Sequence, residues 1–283
     1  LSKDQNQAYL SIETNFKKKD VCLLHGVTSS GKTEIYIKLI QKEINKGKQV
    51  LYLLPEIALT IQIIKRLQNH FGNKVGVFHS NLNNSERVEV WKSVQGECSV
   101  LLGVRSSVYL PFKNLGLVII DEEHDSSYKQ QQPTPRYNAR DSAIYLASLF
   151  NAKVLLGSAT PSIESYYKAK TTKYGFVELL KRYSDIKLPK IESFDLKKGL
   201  LKKEMLGFFS KKLINEISNQ LENNKQVILF QNRRGYSKVL NCDSCGHSVA
   251  CKYCSVSLTY HKNKNNLRCH YCGYVESIQS SCK

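Results

Sequence analysis

The stretch Gly26-Val27-Thr28-Ser29-Ser30-Gly31-Lys32-Thr33 fits the pattern GxxxxGK[ST] and lies between an apolar run, Val21 to Leu24, and a helical pattern that begins at Thr33. No other segment constrains the fold as strongly. A strand that enters a glycine-rich turn and then a helix is the opening unit of a doubly wound sheet, and the turn leaves a row of backbone N–H groups at a helix N-terminus. Such a loop wraps phosphates. Lys32 would reach the β and γ oxygens and the Thr33 hydroxyl would take a Mg²⁺ position, so Gly26, Val27, Thr28, Ser29, Ser30, Gly31, Lys32 and Thr33 are expected to bind ATP.

The rest of the first half repeats that order. Apolar runs at Val21 to Leu24, Gln49 to Leu54, Lys74 to Phe78, Ser99 to Leu102, Leu115 to Ile120 and Lys153 to Leu156 read as strands, several apolar at nearly every position as in parallel strands covered on both faces. Helical spacing over Thr33 to Asn45, Leu59 to Phe71 and Arg140 to Asn151 fills the gaps. Residues 1 to 180 are read as one doubly wound α/β domain. A lysine-rich connector with Pro189 follows, and a second unit opens with a helix over Lys211 to Asn223 and a strand over Gln226 to Phe230.

Strand Leu115 to Ile120 ends in Asp121-Glu122-Glu123-His124. Carboxylates at the end of a buried strand need a reason. Beside a phosphate-binding loop, Asp121 would hold Mg²⁺ and Glu122 would polarise an attacking water, which makes Lys32, Asp121 and Glu122 the expected catalytic group. The strand at Val154 to Leu156 leads into Gly157-Ser158-Ala159-Thr160-Pro161, whose hydroxyls either sense a γ-phosphate or cap a helix opening at Pro161. The stretch after Glu122 carries Tyr128, Lys129, Arg136, Tyr137 and Arg140, a mixture of rings and cations suited to a single nucleic-acid strand and attached directly to the water-polarising carboxylate. Arg233 and Arg234 follow the expected strand of the second unit, as a functional or a solvated pair.

Seven of the nine cysteines fall between Cys242 and Cys282, with Cys242 and Cys245, Cys251 and Cys254, and Cys269 and Cys272 each spaced CxxC. Two such pairs complete a closed tetrahedral Zn²⁺ site, which is structural rather than catalytic. His247, His261 and His270 are available substitutes, while Cys22 and Cys98 lie in strand patterns and read as packing thiols. Lys and Arg outnumber Asp and Glu by 42 to 24, a formal charge of +18, so nucleic acid is the expected partner. Apolar runs are strand-sized and the N-terminus lacks a secretory pattern, so no membrane association and a cytoplasmic, nucleoid-associated location are expected.

The order GVTSSGKTEIY, LLPEIALT, DEEHDSSYKQQ, GSATP and QNRRGY resembles the bacterial primosomal replication-restart helicases of superfamily 2 over nearly the whole chain. The resemblance implies a RecA-like doubly wound parallel sheet as first lobe over residues 1–180, a connector and the start of a second lobe over 181–241, and an inserted zinc-ribbon-like module over 242–283. It also implies an ATP-dependent DNA helicase that moves 3′ to 5′ and serves primosome assembly and restart of stalled forks. Its partners would be forked and single-stranded DNA, primosome proteins and single-strand-binding proteins. Gln5 matches a position near the adenine. Leu53 to Thr60, His79 to Arg87 and Gly103 to Ser107, which holds Arg105, are similar to DNA-facing segments, and the loop with Tyr128, Lys129, Arg136, Tyr137 and Arg140 is similar to one that couples DNA binding to turnover. Two zinc ions are implied, one on Cys251, Cys254, Cys269 and Cys272 and one on Cys242, Cys245 and Cys282 with an eighth ligand two residues past Lys283. The chain thus reads as a fragment, without the later second-lobe motifs. Ser29 stands where the family usually has glycine, which raises a question about backbone angles there. The competing reading is a zinc-bearing scaffold for nucleic acid or protein with a non-catalytic nucleotide site. A scaffold has no need of Glu122, which favours the enzyme.

Overall fold

The computed structural model describes residues 1–55, 61–80, 82–183, 190–230, 240, 248–253, 257–261, 264–269 and 272–278. The chain forms two compact units, Leu1–Pro189 and Lys190–Lys283. The first is built on a seven-stranded sheet in the order β3-β4-β2-β5-β6-β1-β7, with β1 Val21–Gly26, β2 Gln49–Leu53, β3 Val75–Phe78, β4 Val100–Gly103, β5 Leu115–Asp121, β6 Lys153–Ser158 and β7 Gly175–Leu179. Every neighbouring pair is parallel. This is the RecA-like doubly wound fold.

Burial on both faces explains the uninterrupted apolar strands. Cys22, Leu24, Val50, Tyr52, Leu117 and Ile119 point into one core, where they meet Ala8 and Ile12 of α1 (Lys3–Phe16), Ile35, Leu39 and Ile40 of α2 (Lys32–Asn45), and Leu67 of α3 (Ile61–Phe71). Their alternates Leu23, Leu51, Leu53, Val118 and Ile120 point into the other, against Val94 of α4 (Asn84–Val94), Ala139, Ala143 and Ala147 of α5 (Ala139–Leu149), and Ala169 of α6 (Ile163–Lys170). Alanine at every fourth position lets α5 lie close to the sheet. Each fully buried Leu or Ile contributes about 1.5–3 kcal/mol through area removed from water.

Periodicity does not single out α1 or β7. Helix α1 buries only Gln5, Ala8 and Ile12 and is fixed at its start by a capping box between Ser2 and Gln5. The edge strand β7 alternates buried and less buried positions, the weaker pattern of a strand that pairs on one side.

In the second unit, α7 (Leu196–Leu201), a two-stranded hairpin of β8 (Met205–Leu206) and β9 (Phe209–Ser210), and α8 (Lys211–Glu222) precede a three-stranded antiparallel ribbon of β10 (Thr259–His261), β11 (Asn266–Arg268) and β12 (Val275–Ser277). The helix expected over Lys211 to Asn223 is present. The strand expected over Gln226 to Phe230 is not: no ladder pairs it, and Ile228 and Phe230 are 92% and 86% exposed. Apolar spacing alone cannot make a strand whose backbone finds no partner among the described residues. No helix among the described residues is long and apolar enough to cross a membrane.

Candidate functional site

The glycine-rich loop leaves β1 at Gly26 and ends at Gly31, the left-handed N-cap of α2 with φ +84°. Gly31 has no room for a side chain, because a Cβ there would sit 2.2 Å from Gln5 Nε2. That amide donates to Ser30 O at 3.1 Å, while its own oxygen accepts Ser2 N–H at 2.8 Å. One buried glutamine therefore caps α1 and holds the loop from beneath. Ser29 adopts φ +61°, so this chain carries on a serine a left-handed angle that glycine adopts without strain. Thr28 and Ser29 form the exposed apex, Ser30 is buried, Val27 N–H bonds Leu179 O at 3.1 Å, and Thr33 is half-buried in the first turn of α2.

Lys32 folds back to donate to Gly26 O at 2.9 Å and stands 4.0 Å from Glu122 Oε1. Asp121 closes β5 beside Gly157 of β6. Its Oδ1 accepts Tyr36 O–H at 2.9 Å and its Oδ2 accepts Tyr52 O–H at 3.3 Å. Burial, then the charge of Glu122, push the Asp121 pKa up, opposed by Lys32 and the Tyr36 bond. Burial also raises the pKa of Tyr36 and Tyr52 well above that of a free phenol, so both remain donors. Gly157 makes room for this pair, since a Cβ there would lie 1.8 Å from the Tyr36 hydroxyl. A buried carboxylate aligned by two phenols, with an ammonium near, fits a divalent cation carrying a polyphosphate.

Two adjacent glutamates diverge. Glu122 sits at φ +46° with its side chain 37% exposed, facing Lys32 and, at 3.7 Å, His124 Nδ1. It is free to meet a water. Glu123 is buried with no exposed side-chain area and accepts from Arg140 Nη1 at 2.9 Å, Ser162 N at 2.7 Å, Ser162 Oγ at 3.0 Å and Ser165 Oγ at 2.8 Å. Ser162, not a residue before Pro161, is the N-cap of α6. The hydroxyls of the 157–161 segment are thereby released from capping: Ser158 Oγ lies 2.8 Å from His124 Nδ1 and Thr160 Oγ1 3.4 Å from Nε2.

The aromatic and basic loop corrects part of the sequence reading. Tyr128 is 2% exposed and donates its hydroxyl to Asp121 O at 2.7 Å, so its ring has no face for a base. Arg140 is turned inward onto Glu123 rather than outward to phosphate, and the glutamate bond with the charges of Asp141 and Glu123 outweighs burial and raises its pKa. Arg105 donates to the carbonyls of Ser127 and Lys129 at 3.0 and 3.4 Å. Lys129 Nζ donates to Arg136 O at 2.6 Å, and Tyr137 packs edge-on against exposed Tyr109 at 5.0 Å. Arg136 is exposed. Tyr36, Tyr52, Glu123 and His124 were not foreseen in these roles, and only Glu123 and His124 had a signal, their place in DEEH.

In the second unit, one ligand atom from each of Cys251, Cys269 and Cys272 lies within 4.8 Å of the others, and the Cys251 and Cys272 sulfurs are 3.5 Å apart. Tetrahedral Zn–S bonds of about 2.3 Å place sulfurs about 3.8 Å apart, so the cluster fits zinc. Gly273, at φ +79°, lets the chain turn so that its N–H reaches Cys269 O at 3.0 Å. Cys242, Cys245, Cys254 and Cys282 lie outside the described residues, as do Arg233, Arg234, His247, His270, Pro189 and 56–60 of the Leu53 to Thr60 segment.

Residues 2–169 match the DEAD/DEAH box helicase family, and residues 251–276 match the PriA DNA helicase Cys-rich region (CRR) domain. Replication restart protein PriA of Rickettsia felis is 46% identical over 283 residues, all of this chain and 43% of that protein. The Bacillus subtilis protein of the same name is 39% identical over 285 residues, covering all of this chain and 35% of its own length. That of Haemophilus influenzae is 44% identical over 264 residues, 93% of this chain and 36% of its own. The chain spans less than half the length of these relatives. The resemblance to replication-restart helicases is borne out. With a nucleotide-type loop, an acidic strand end and a cysteine ribbon in the order these matches share, the chain belongs to the DEAD/DEAH box helicase family.

Proposed function

We propose that this chain supplies the ATP-binding lobe, the opening of the second lobe and the zinc module of an ATP-dependent DNA helicase that restarts stalled replication forks. The observation that carries this is the convergence of Lys32, Asp121 and Glu122 at the carboxyl ends of β1 and β5, the two strands that flank β6 in the parallel sheet, where ligands bind in doubly wound sheets. Gly26 to Thr33 wrap the phosphates and Gln5 stands beside the adenine. Asp121 would hold Mg²⁺, and Glu122, half-exposed and 4.0 Å from Lys32, would orient the attacking water. No covalent intermediate is needed, because positioning and charge carry phosphoryl transfer to water.

The division into a first lobe over 1–180, a connector and second-lobe start over 181–241 and a zinc module over 242–283 belongs to this reading. So does a module of two structural Zn²⁺ ions, one on Cys251, Cys254, Cys269 and Cys272 and one on Cys242, Cys245 and Cys282. DNA, forked and single-stranded, is the partner, reached through Arg105, Lys129, Arg136 and Tyr137, while Tyr128 and Arg140 act from inside as couplers to Asp121 and Glu123. Movement from 3′ to 5′, primosome and single-strand-binding proteins as partners, and a cytoplasmic, nucleoid-associated location complete it.

The test is ATP hydrolysis by the full-length protein with and without single-stranded or forked DNA. Strong stimulation by DNA is expected. Nucleotide binding without turnover in the presence of DNA would overturn the helicase in favour of a scaffold.

A further inference from the structure

The segment that leaves β7 runs along the glycine-rich loop and bonds three successive residues of it. Leu179 O accepts Val27 N–H at 3.1 Å, Arg182 Nη2 donates to Thr28 Oγ1 at 3.3 Å, and Tyr183 N–H donates to Ser29 O at 2.9 Å. Just before them, Lys181 Nζ lies 3.6 Å from Asp4 of α1. The loop is thus clamped from two sides, by Gln5 beneath Ser30 and by residues 179–183 beside the exposed apex.

Arg182 is the unusual member of this clamp. Arg140 is committed to Glu123, Arg66 to Glu34, and Arg87 and Arg105 to backbone carbonyls, while Arg136 is exposed to solvent. Arg182 has no carboxylate within ion-pair distance among the described residues, and its one hydrogen bond goes to a neutral hydroxyl. It is half-buried. A guanidinium carries five donors and keeps its charge at any working pH. Holding it at the rim of an anion-binding loop with no carboxylate paired to it among the described residues costs electrostatic energy in the empty state, and a bound polyphosphate would repay that cost.

We propose that Arg182 is a further nucleotide-binding residue, a second cation for the ATP phosphates beside Lys32, with the Tyr183 backbone bracing the apex that carries it. The assignment rests on reading Gly26 to Thr33 as the ATP loop. Lys32 approaches from within, tethered to Gly26 O, and Arg182 approaches from the apex at Thr28. Because Arg182 and Tyr183 also open the connector sequence, the side chain that takes the phosphates begins the link to the second unit.

The experiment measures equilibrium binding of ATP, ADP and adenosine to the full-length protein by competition against a fluorescent nucleotide, in wild type, Arg182→Gln, Arg182→Lys and Lys32→Ala. One lost charge-assisted contact corresponds to about a tenfold or greater loss. Arg182→Gln is therefore expected to weaken ATP by about that factor and ADP by less, leave adenosine unchanged, and raise KM for ATP more than it lowers kcat. Arg182→Lys, which keeps the charge without the fork, should recover part of the loss. Wild-type ATP affinity in Arg182→Gln would overturn the proposal, and so would an equal loss for ATP and adenosine, the signature of a disturbed fold. Lys32→Ala separates the two layers. If it stops turnover while Arg182→Gln binds normally, only the Arg182 assignment falls; if it binds and hydrolyses as wild type, the ATP-loop reading falls and takes Arg182 with it.

Discussion

At the nucleotide site in the first unit the protein supplies its own counter-groups. Lys32 rests on Gly26 O and faces Glu122, Asp121 is held by Tyr36 and Tyr52, and Glu123 accepts four hydrogen bonds. All this sits on a sheet with a core on each face. At the cysteine cluster the buried apolar residues among those described are Cys251, Leu258, Leu267 and Cys269, so two of the four are candidate metal ligands. The first region is built before its ligand arrives. The second would take a metal ion as its core, since a ribbon this small buries too little area to offset the entropy of ordering it.

That difference predicts the largest effect on metal removal. Chelation of the full-length protein should unfold the ribbon, because structural zinc contributes roughly 10–16 kcal/mol to small zinc-dependent folds, yet leave ATP affinity in the first unit as it was. Proteolysis and amide exchange over 248–278 would report the ribbon, and fluorescent nucleotide binding the loop. Loss of nucleotide affinity in step with loss of zinc would break the comparison.

A smaller effect tests the self-sufficiency of the nucleotide side. Removing one partner of a buried ion pair costs about 3–5 kcal/mol, so Glu123→Ala should lower the melting temperature of the first unit by about 10 °C and leave zinc content unchanged. Glu123→Gln keeps one acceptor oxygen, which can serve Ser162 N–H or Ser165 Oγ but not both, and removes the charge facing Arg140 while leaving it Asp141, and should fall between. A Glu123→Ala protein that melts like wild type would mean the network is not what holds the strand end in place.

Smallest, and opposite in sign, is Asp121→Asn. Asp121 has its pKa raised above the ordinary 3.8, chiefly by burial. A carboxyl with a raised folded pKa favours folding only while protonated, so its ionisation destabilises the fold once pH rises through the folded value. The neutral amide escapes that penalty while still accepting from Tyr36. Asp121→Asn without nucleotide or metal should therefore be slightly more stable than wild type near pH 7, with the advantage shrinking towards pH 4, and inactive. Equal stabilisation at both pH values would show that the charge is not the cause.

The phosphate loop, the acidic strand end, the CxxC pairs and the parallel α/β order were legible in the sequence because each is a local spacing. A glycine that must turn left, a lysine that must follow it, or two cysteines three positions apart are set by backbone geometry within a few residues. What the spacing could not reveal was which polar groups look inward. Tyr128 and Arg140 read as exposed ring and cation, yet their partners are Asp121 O, seven residues away, and Glu123, seventeen away. Tyr36 and Tyr52 reach Asp121 across 85 and 69 residues, Gln5 reaches Ser30 across 25, and Arg182 reaches Thr28 across 154. The apolar run Gln226 to Phe230 has strand composition and no strand, since a ladder needs a second backbone that composition does not provide. Sequence thus determined the chemistry available at each turn of the chain. Only the tertiary structure decided which charges are desolvated and which are free, because burial and pairing of a polar group depend on segments that meet through the sheet rather than through the chain.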